Sequence, residues 1–386
     1  MYLSHRNKTI HPTTTNFSAW KEANINDSNL IIMKSSTVLN LILVIVFAGF
    51  SLSCKEKKQE TPEVAPQNDV STYLGQWTFD FGRSSVGWLK VRQEDGYLDA
   101  DLMWGGGGVF YGLPYVYVAG DKLYLGRNPR RAVLTRDAEG NPALTRNIPT
   151  WIELKAEGDK LTGYYFSPKA NGIGLDSVYI RGTRLPEMPP PPDLSSLKYG
   201  EPIKLIPNDN DLTGWRLIEE NLTNGWSVKD GILTNYPVQK EGEPTIRYGN
   251  LRTEQEFEDF NLTLEVNAPP GSNSGVYLRG IYEVQVADSY DRPLNWGGSM
   301  GAIFTRITPT VKAEKPAGEW QELNITLCNR HVTVKLNGIT VVDNQPLEGA
   351  TGGAILSDVF APGPIYLQGD HTAISFRNIV LTPIIH

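Results

Sequence analysis

Apolar and polar residues alternate in short runs along most of this chain, with Gly, Asn and Asp between the runs. Alternation of period two places successive side chains on opposite faces of a strand, so the runs predict strands and the separators predict turns. No amphipathic helical pattern longer than two turns interrupts them. From Ser71 to Leu185 the runs include Leu98–Leu102, Lys122–Leu125, Trp151–Leu154, Lys160–Tyr165 and Ser177–Arg184. They predict a meander of antiparallel strands, closed or strongly curved. Prolines at 186 and 189–192 then punctuate the chain, and residues 186–199 read as a proline-rich linker. Strand-like runs resume from Gly200 to His386. The chain is therefore expected to be all-β, with two domains at 71–185 and 200–386 on either side of the proline divide.

The first seventy residues have a different character. Met1 to Ile32 is polar and aperiodic, which suggests an overextended start. Met33-Lys34-Ser35-Ser36 is a short basic stretch, followed by an apolar run from Leu41 to Phe50. That run is too short to span a bilayer and has the length of a signal-peptide core. It ends at Ser51-Leu52-Ser53-Cys54, which resembles a bacterial lipobox apart from Ser51, where the motif has Leu. The reading is a lipoprotein signal peptide over 33–53, lipid on Cys54, and a charged, proline-containing tether over 54–70. It places the protein in the bacterial cell envelope, anchored to the outer membrane with the membrane as a partner. Cys328 is the one other cysteine, so a lipidated Cys54 leaves no disulfide. The formal net charge of −7 argues against nucleic acid as a partner.

The densest chemistry lies between Asn273 and Asp288. Two strands meeting near Gly280 would put Val276, Leu278, Tyr282, Val284 and Val286 on a buried face. The opposite face would carry Tyr277, Arg279, Glu283 and Gln285, a set suited to a sugar-sized polar ligand, with plain solvated surface as the competing reading. In the first domain, Trp104, Phe110 and Tyr111 flank a run of four glycines and could stack on sugar rings, or could be core aromatics beside a flexible loop. Gly75-Gln76-Trp77 on the opening strand is similar to the start of lipocalin-like barrels, which implies a small antiparallel barrel-like domain.

Motifs spread over the second domain carry a broader resemblance. Ile206-Pro-Asn-Asp-Asn-Asp-Leu-Thr-Gly-Trp215, Trp226–Leu233, Asn273–Gly280 with Tyr282-Glu-Val-Gln285, Lys315–Trp320 and Ile365–His371 occur in the order found in the 3-keto-disaccharide hydrolase family. Gly is usual in that family where Tyr366 stands here. The resemblance implies a concanavalin-like jelly-roll β-sandwich with a concave sugar-binding sheet, and an oligosaccharide or 3-keto-glycoside as substrate. A 3-keto group acidifies the hydrogen on C2, so the C1–O bond can break by elimination through an enolate, with water added afterwards. That route asks for a base, a group to hold the enolate oxygen and an acid for the departing oxygen. Glu283 is the candidate base, Arg279 the candidate cation and His371 the candidate acid. Tyr277, Gln285, Asp288, Asn273 and Gln368 are candidate substrate contacts, and Lys315 and Arg252 candidate rim cations. A divalent metal ion held by Asp288, Gln285 and His371 stays open. Glu283-x-Gln285-x-x-Asp288 also has the spacing of the acidic strand of glycoside hydrolase family 16, with Gln and Asp where that motif has Asp and Glu. Two alternatives remain beside the keto-sugar hydrolase. One is a glycan-binding lipoprotein without catalysis, the other a conventional hydrolase of β-glucans.

Overall fold

The structure, a computed structural model, describes residues 69–81, 85–105 and 110–386. The segment read as start, signal peptide and tether lies outside these residues up to position 68, Cys54 included, as do Gly106 to Gly108 of the glycine run and Val109. No α-helix occurs among the described residues.

Nine strands form the first sheet. They are β1 (Gly75–Asp80), β2 (Val86–Glu94), β3 (Tyr97–Met103), β4 (Phe110–Tyr111), β5 (Val116–Ala119), β6 (Lys122–Arg136), β7 (Pro142–Glu157), β8 (Lys160–Pro168) and β9 (Leu175–Leu185). Their order is β4-β3-β2-β1-β9-β8-β7-β6-β5, an antiparallel meander that curls until β3 and β5 come together. Inward positions recur with period two, and Trp77, Phe79, Leu89, Val91, Leu123, Leu125, Ile152 and Leu154 fill the interior. The Trp77 indole is fully buried, donates to the Tyr73 carbonyl at 2.8 Å and lies under the Arg184 guanidinium. Trp104 is not an open stacking platform. Its ring packs between Phe81 and Tyr165, with the Arg127 guanidinium 4.7 Å from its centre.

The second domain comprises β10 (Lys198–Tyr199), β11 (Ile203–Lys204), β12 (Trp215–Leu217), β13 (Trp226–Lys229), β14 (Ile232–Asn235), β15 (Leu251–Thr253) and β16 (Phe260–Asn267). It continues with β17 (Asn273–Leu278), β18 (Tyr282–Ala287), β19 (Trp320–Cys328), β20 (His331–Leu336), β21 (Ile339–Pro346), β22 (Tyr366–Leu367) and β23 (Ile374–Ile385). The larger sheet runs β13-β14-β23-β16-β19-β20-β21, with β10 and β11 paired to β23, and the smaller runs β12-β15-β22-β17-β18. Leu262, Leu264, Leu323, Ile325, Val332 and Val334 of the larger sheet meet Val276, Leu278, Val284, Val286 and Leu367 of the smaller in one core. This is a jelly-roll sandwich. Its smaller sheet keeps a second face, carrying Tyr277, Glu283, Gln285 and Tyr366, for the site.

The proline divide is pinned to the sandwich. Arg330 donates to the Pro186 carbonyl and Asn344 Nδ2 to the Pro192 carbonyl. Val86, Trp88 and Met103, on the outer face of the first sheet, join Leu185 in the core cluster of the second domain. The two β domains share buried surface.

Candidate active site

The β17–β18 hairpin explains why the polar side chains converge. Tyr277 and Glu283 are direct cross-strand partners, as are Gly275 and Gln285, so these positions lie on one face. Tyr366 on β22 pairs with Tyr277, and their rings stack with centres 3.8 Å apart. Gly275 is required by packing, because a Cβ there would overlap the Glu283 carboxylate. Gly353, at φ +80°, lies equally close to the Tyr277 hydroxyl.

A pocket of about 340 Å³ opens over this face. Asn273, Tyr277, Glu283, Gln285, Gln368 and His371 line it, together with Asn250, Glu219, Phe304, Gly352, Gly353, Tyr366 and Asp370. Glu283 is only 3% exposed. Its Oε2 accepts the Tyr277 hydroxyl at 2.6 Å, and its backbone N–H donates to Thr351 Oγ1. Burial pushes the Glu283 carboxyl up to about 8, the Asp370 charge adds to the rise, and the Tyr277 hydrogen bond opposes it. Tyr277 is raised well above the usual phenol range by burial, then by its Tyr366 and Glu283 neighbours. At the half-exposed lip, His371 Nδ1 lies 2.7 Å from Asp370 Oδ1, and that bond raises the imidazole above its ordinary value. Gln285 Nε2 donates to Asn273 Oδ1, while the buried Oε1 atoms of Gln285 and Gln368 have no protein partner. Asn250 Oδ1 accepts from the Gly369 N–H, which turns its amide NH₂ elsewhere.

Four of the residues expected at the site fall outside the pocket. Arg279 sits in the hairpin turn with φ +53°, followed by Gly280 at +65°, and Ile281 N–H closes the turn on the Leu278 carbonyl. Two consecutive positive φ values make this a type I′ turn, in which strand alternation stops. The Arg279 side chain accordingly leaves the Tyr277 face and donates to the Val359 and Ala361 carbonyls. Asp288 accepts the Gly271 N–H in a loop, which separates it from Gln285 and His371 as a metal-binding set. Among the described residues no cluster of three His, Cys, Asp or Glu side chains could hold a metal ion. Lys315 is exposed and donates to the Trp320 carbonyl. Arg252 is aligned with Tyr366 on the same sheet but is paired with Glu256. His371 is thus the one pocket-lining group, among the described residues, able to carry positive charge. Asn250, Asp370 and Thr351 were not singled out from the sequence. They reach the site from segments remote from the hairpin, and only the Gly369-Asp370-His371 loop carried a local signal.

The jelly-roll sheet thus presents a buried carboxyl of raised proton affinity under a polar pocket. Residues 201–382 match the model of the 3-keto-alpha-glucoside-1,2-lyase-like domain, which suggests a glycosyl-hydrolase-like, carbohydrate-active protein. Similar solved structures include two candidate glycosyl hydrolases from Parabacteroides distasonis. One is 29% identical, with 50% of this chain and 92% of that chain covered at a TM-score of 0.38. The other is 25% identical, covering 48% and 100% at 0.36. A non-specific endo-beta-1,3(4)-glucanase of glycoside hydrolase family 16 is 13% identical, covering 51% and 93% at 0.31. No curated protein matches the chain.

Proposed function

We propose that the second domain cleaves 3-keto-glycosides by elimination and hydration. The observation that carries this is Glu283, a single carboxyl buried in a polar pocket with its proton affinity raised to about 8. A base abstracting a weakly acidic C–H works best with a proton affinity near the working pH, which an ordinary surface carboxylate lacks. Glu283 takes the C2 hydrogen, and the electron pair delocalises onto the C3 oxygen. The pair returns to form the C1–C2 double bond as the C1–O bond breaks. His371, its Nδ1 held by Asp370, gives the proton to the departing oxygen. Water then adds across C1–C2. Arg279 has no part in this scheme. The amide NH₂ groups of Asn250 and Gln368 are the pocket donors suited to the developing enolate oxygen.

Incubation of a disaccharide and its 3-keto derivative with the protein, with and without chelator, tests the reading. Turnover of the keto sugar alone is expected, falling about 10²–10⁴-fold in Glu283→Gln. Undiminished turnover in that variant removes Glu283 from the mechanism. Glycan binding without turnover of any keto sugar indicates a binding module. The envelope location is part of the same proposal and rests on Met33 to Cys54. Mass spectrometry of the mature N-terminus should find lipid on Cys54, and an unprocessed chain rules the anchor out.

A further inference from the structure

A strap of chain, residues 348–353, runs from the first β domain to the pocket. At one end, Glu348 is paired with Lys90 of β2 at 2.9 Å. Gly349 lies against the Trp88 indole so closely that a Cβ would overlap it. The Arg306 guanidinium covers that same indole, 4.5 Å from its centre, and donates through Nε and Nη2 to the Ala350 carbonyl. The next three residues hold the candidate catalytic pair. Thr351 Oγ1 accepts from Glu283 N–H at 2.8 Å and donates to the Ile281 carbonyl. The Tyr277 hydroxyl lies 2.6 Å from the Gly352 carbonyl as well as from Glu283 Oε2, two acceptors for its one proton, and the Gly353 carbonyl takes the Tyr366 hydroxyl. Six residues of chain thus join the barrel's outer face to the backbone of Glu283 and the hydroxyl that bonds its carboxyl.

We propose that the N-terminal β domain is a positioning element for the pocket, with Trp88 and Lys90 fixing Tyr277 and Glu283 through the 348–353 strap. This rests on Glu283 being the base. Trp88 and Lys90 touch no substrate in this scheme. They act on the strap, and the strap acts on the reacting carboxyl. A base displaced by a fraction of an ångström loses rate without losing affinity, so the coupling appears in kcat. Relaxing the strap also admits water to Glu283, which moves its protonation midpoint back toward the ordinary range.

The test uses the full chain carrying Trp88→Ala, Trp88→Phe or Lys90→Met, each with and without Glu283→Gln. Two quantities are read: kcat and KM on a 3-keto-disaccharide, and the pH midpoint of the Glu283-dependent part of thermal stability, which needs no substrate. Trp88→Ala should lower kcat on the order of tenfold to a hundredfold with KM little changed, and shift the midpoint down. Trp88→Phe, keeping a ring under Arg306, should restore most of both. Lys90→Met removes only a part-exposed ion pair and should lower kcat about twofold to fivefold. Unchanged kcat and midpoint in Trp88→Ala and Lys90→Met overturn the proposal. If Trp88→Ala does not fold, Lys90→Met and Glu348→Gln decide by the same two readouts. Full turnover in Glu283→Gln alone would defeat the catalytic reading instead, while the midpoint still reports whether Trp88 and Glu283 are coupled.

Discussion

Glu283 is held where burial and reactivity make opposite demands. A carboxyl that ionises at about 8 in the folded chain and near 4.5 when exposed takes up a proton on folding over the whole interval between. The folded state then binds more protons than the unfolded one, so the stability due to this group is complete below about pH 4.5 and falls as pH rises toward 8. The slope approaches about 1.4 kcal/mol per pH unit within that window. Glu283→Gln should therefore become progressively stabilising relative to the native chain between pH 5 and 8 and level off above. Thermal melts of both proteins at several pH values check this, and a difference that does not vary with pH denies the raised proton affinity. Activity in the proposed scheme needs Glu283 ionised and His371 protonated, so it should rise as the base ionises and fall again as the imidazole loses its proton, a bell-shaped profile. The convergence of Tyr277, Glu283 and Gln285 was legible because strand alternation is a local rule. Arg279 obeys that rule on paper only. An arginine at positive φ before a glycine is a turn residue, and the turn carries it off the sheet face.

Hairpin β17–β18 owes its shape to glycines as much as to its polar residues. At Gly275, Ala would drive a methyl into the Glu283 carboxyl. Overpacking of this kind costs about 1–3 kcal/mol and displaces the softer partner, here the Glu283 side chain. Gly275→Ala should lower turnover more than it lowers Tm, and a variant of normal activity would mean that Glu283 can move aside freely. Gly353→Ala adds strain at positive φ to a clash with the Tyr277 hydroxyl, so it should be the more damaging of the two. The long strands, β16, β19 and β23, hold several periods of alternation each. β12, β15 and β22 are too short, at two or three residues, for a repeat to stand out, although β22 delivers Tyr366 to the stack. The wall of Thr351, Gly352 and Gly353 has no strand pattern at all. Its position comes from tertiary bonds to residues some seventy positions away.

At the scale of the molecule, a proline run between two patterned regions reads as a divide, and composition holds no sign of what lies across it. The outer face of β2 looks like one half of an ordinary alternation. Val86 and Trp88 are nevertheless buried, because their partners are the second domain's Arg306 and Gly349 and its core cluster. Removing the first domain would expose that surface and release the strap at Glu348. Loss of a buried Trp contact alone typically costs about 3–5 kcal/mol, or roughly 6–20 °C in Tm for a domain of this size. The chain should therefore unfold in one cooperative transition seen alike by tryptophan fluorescence and by calorimetry, and a chain beginning near Leu197 should melt well below it. A full-length protein with two separate transitions, or a truncated one as stable as the whole, would show that the shared surface contributes little. In that case a strap anchored on the barrel could not hold Glu283 in place, since an element that melts independently cannot fix the geometry of the one beside it.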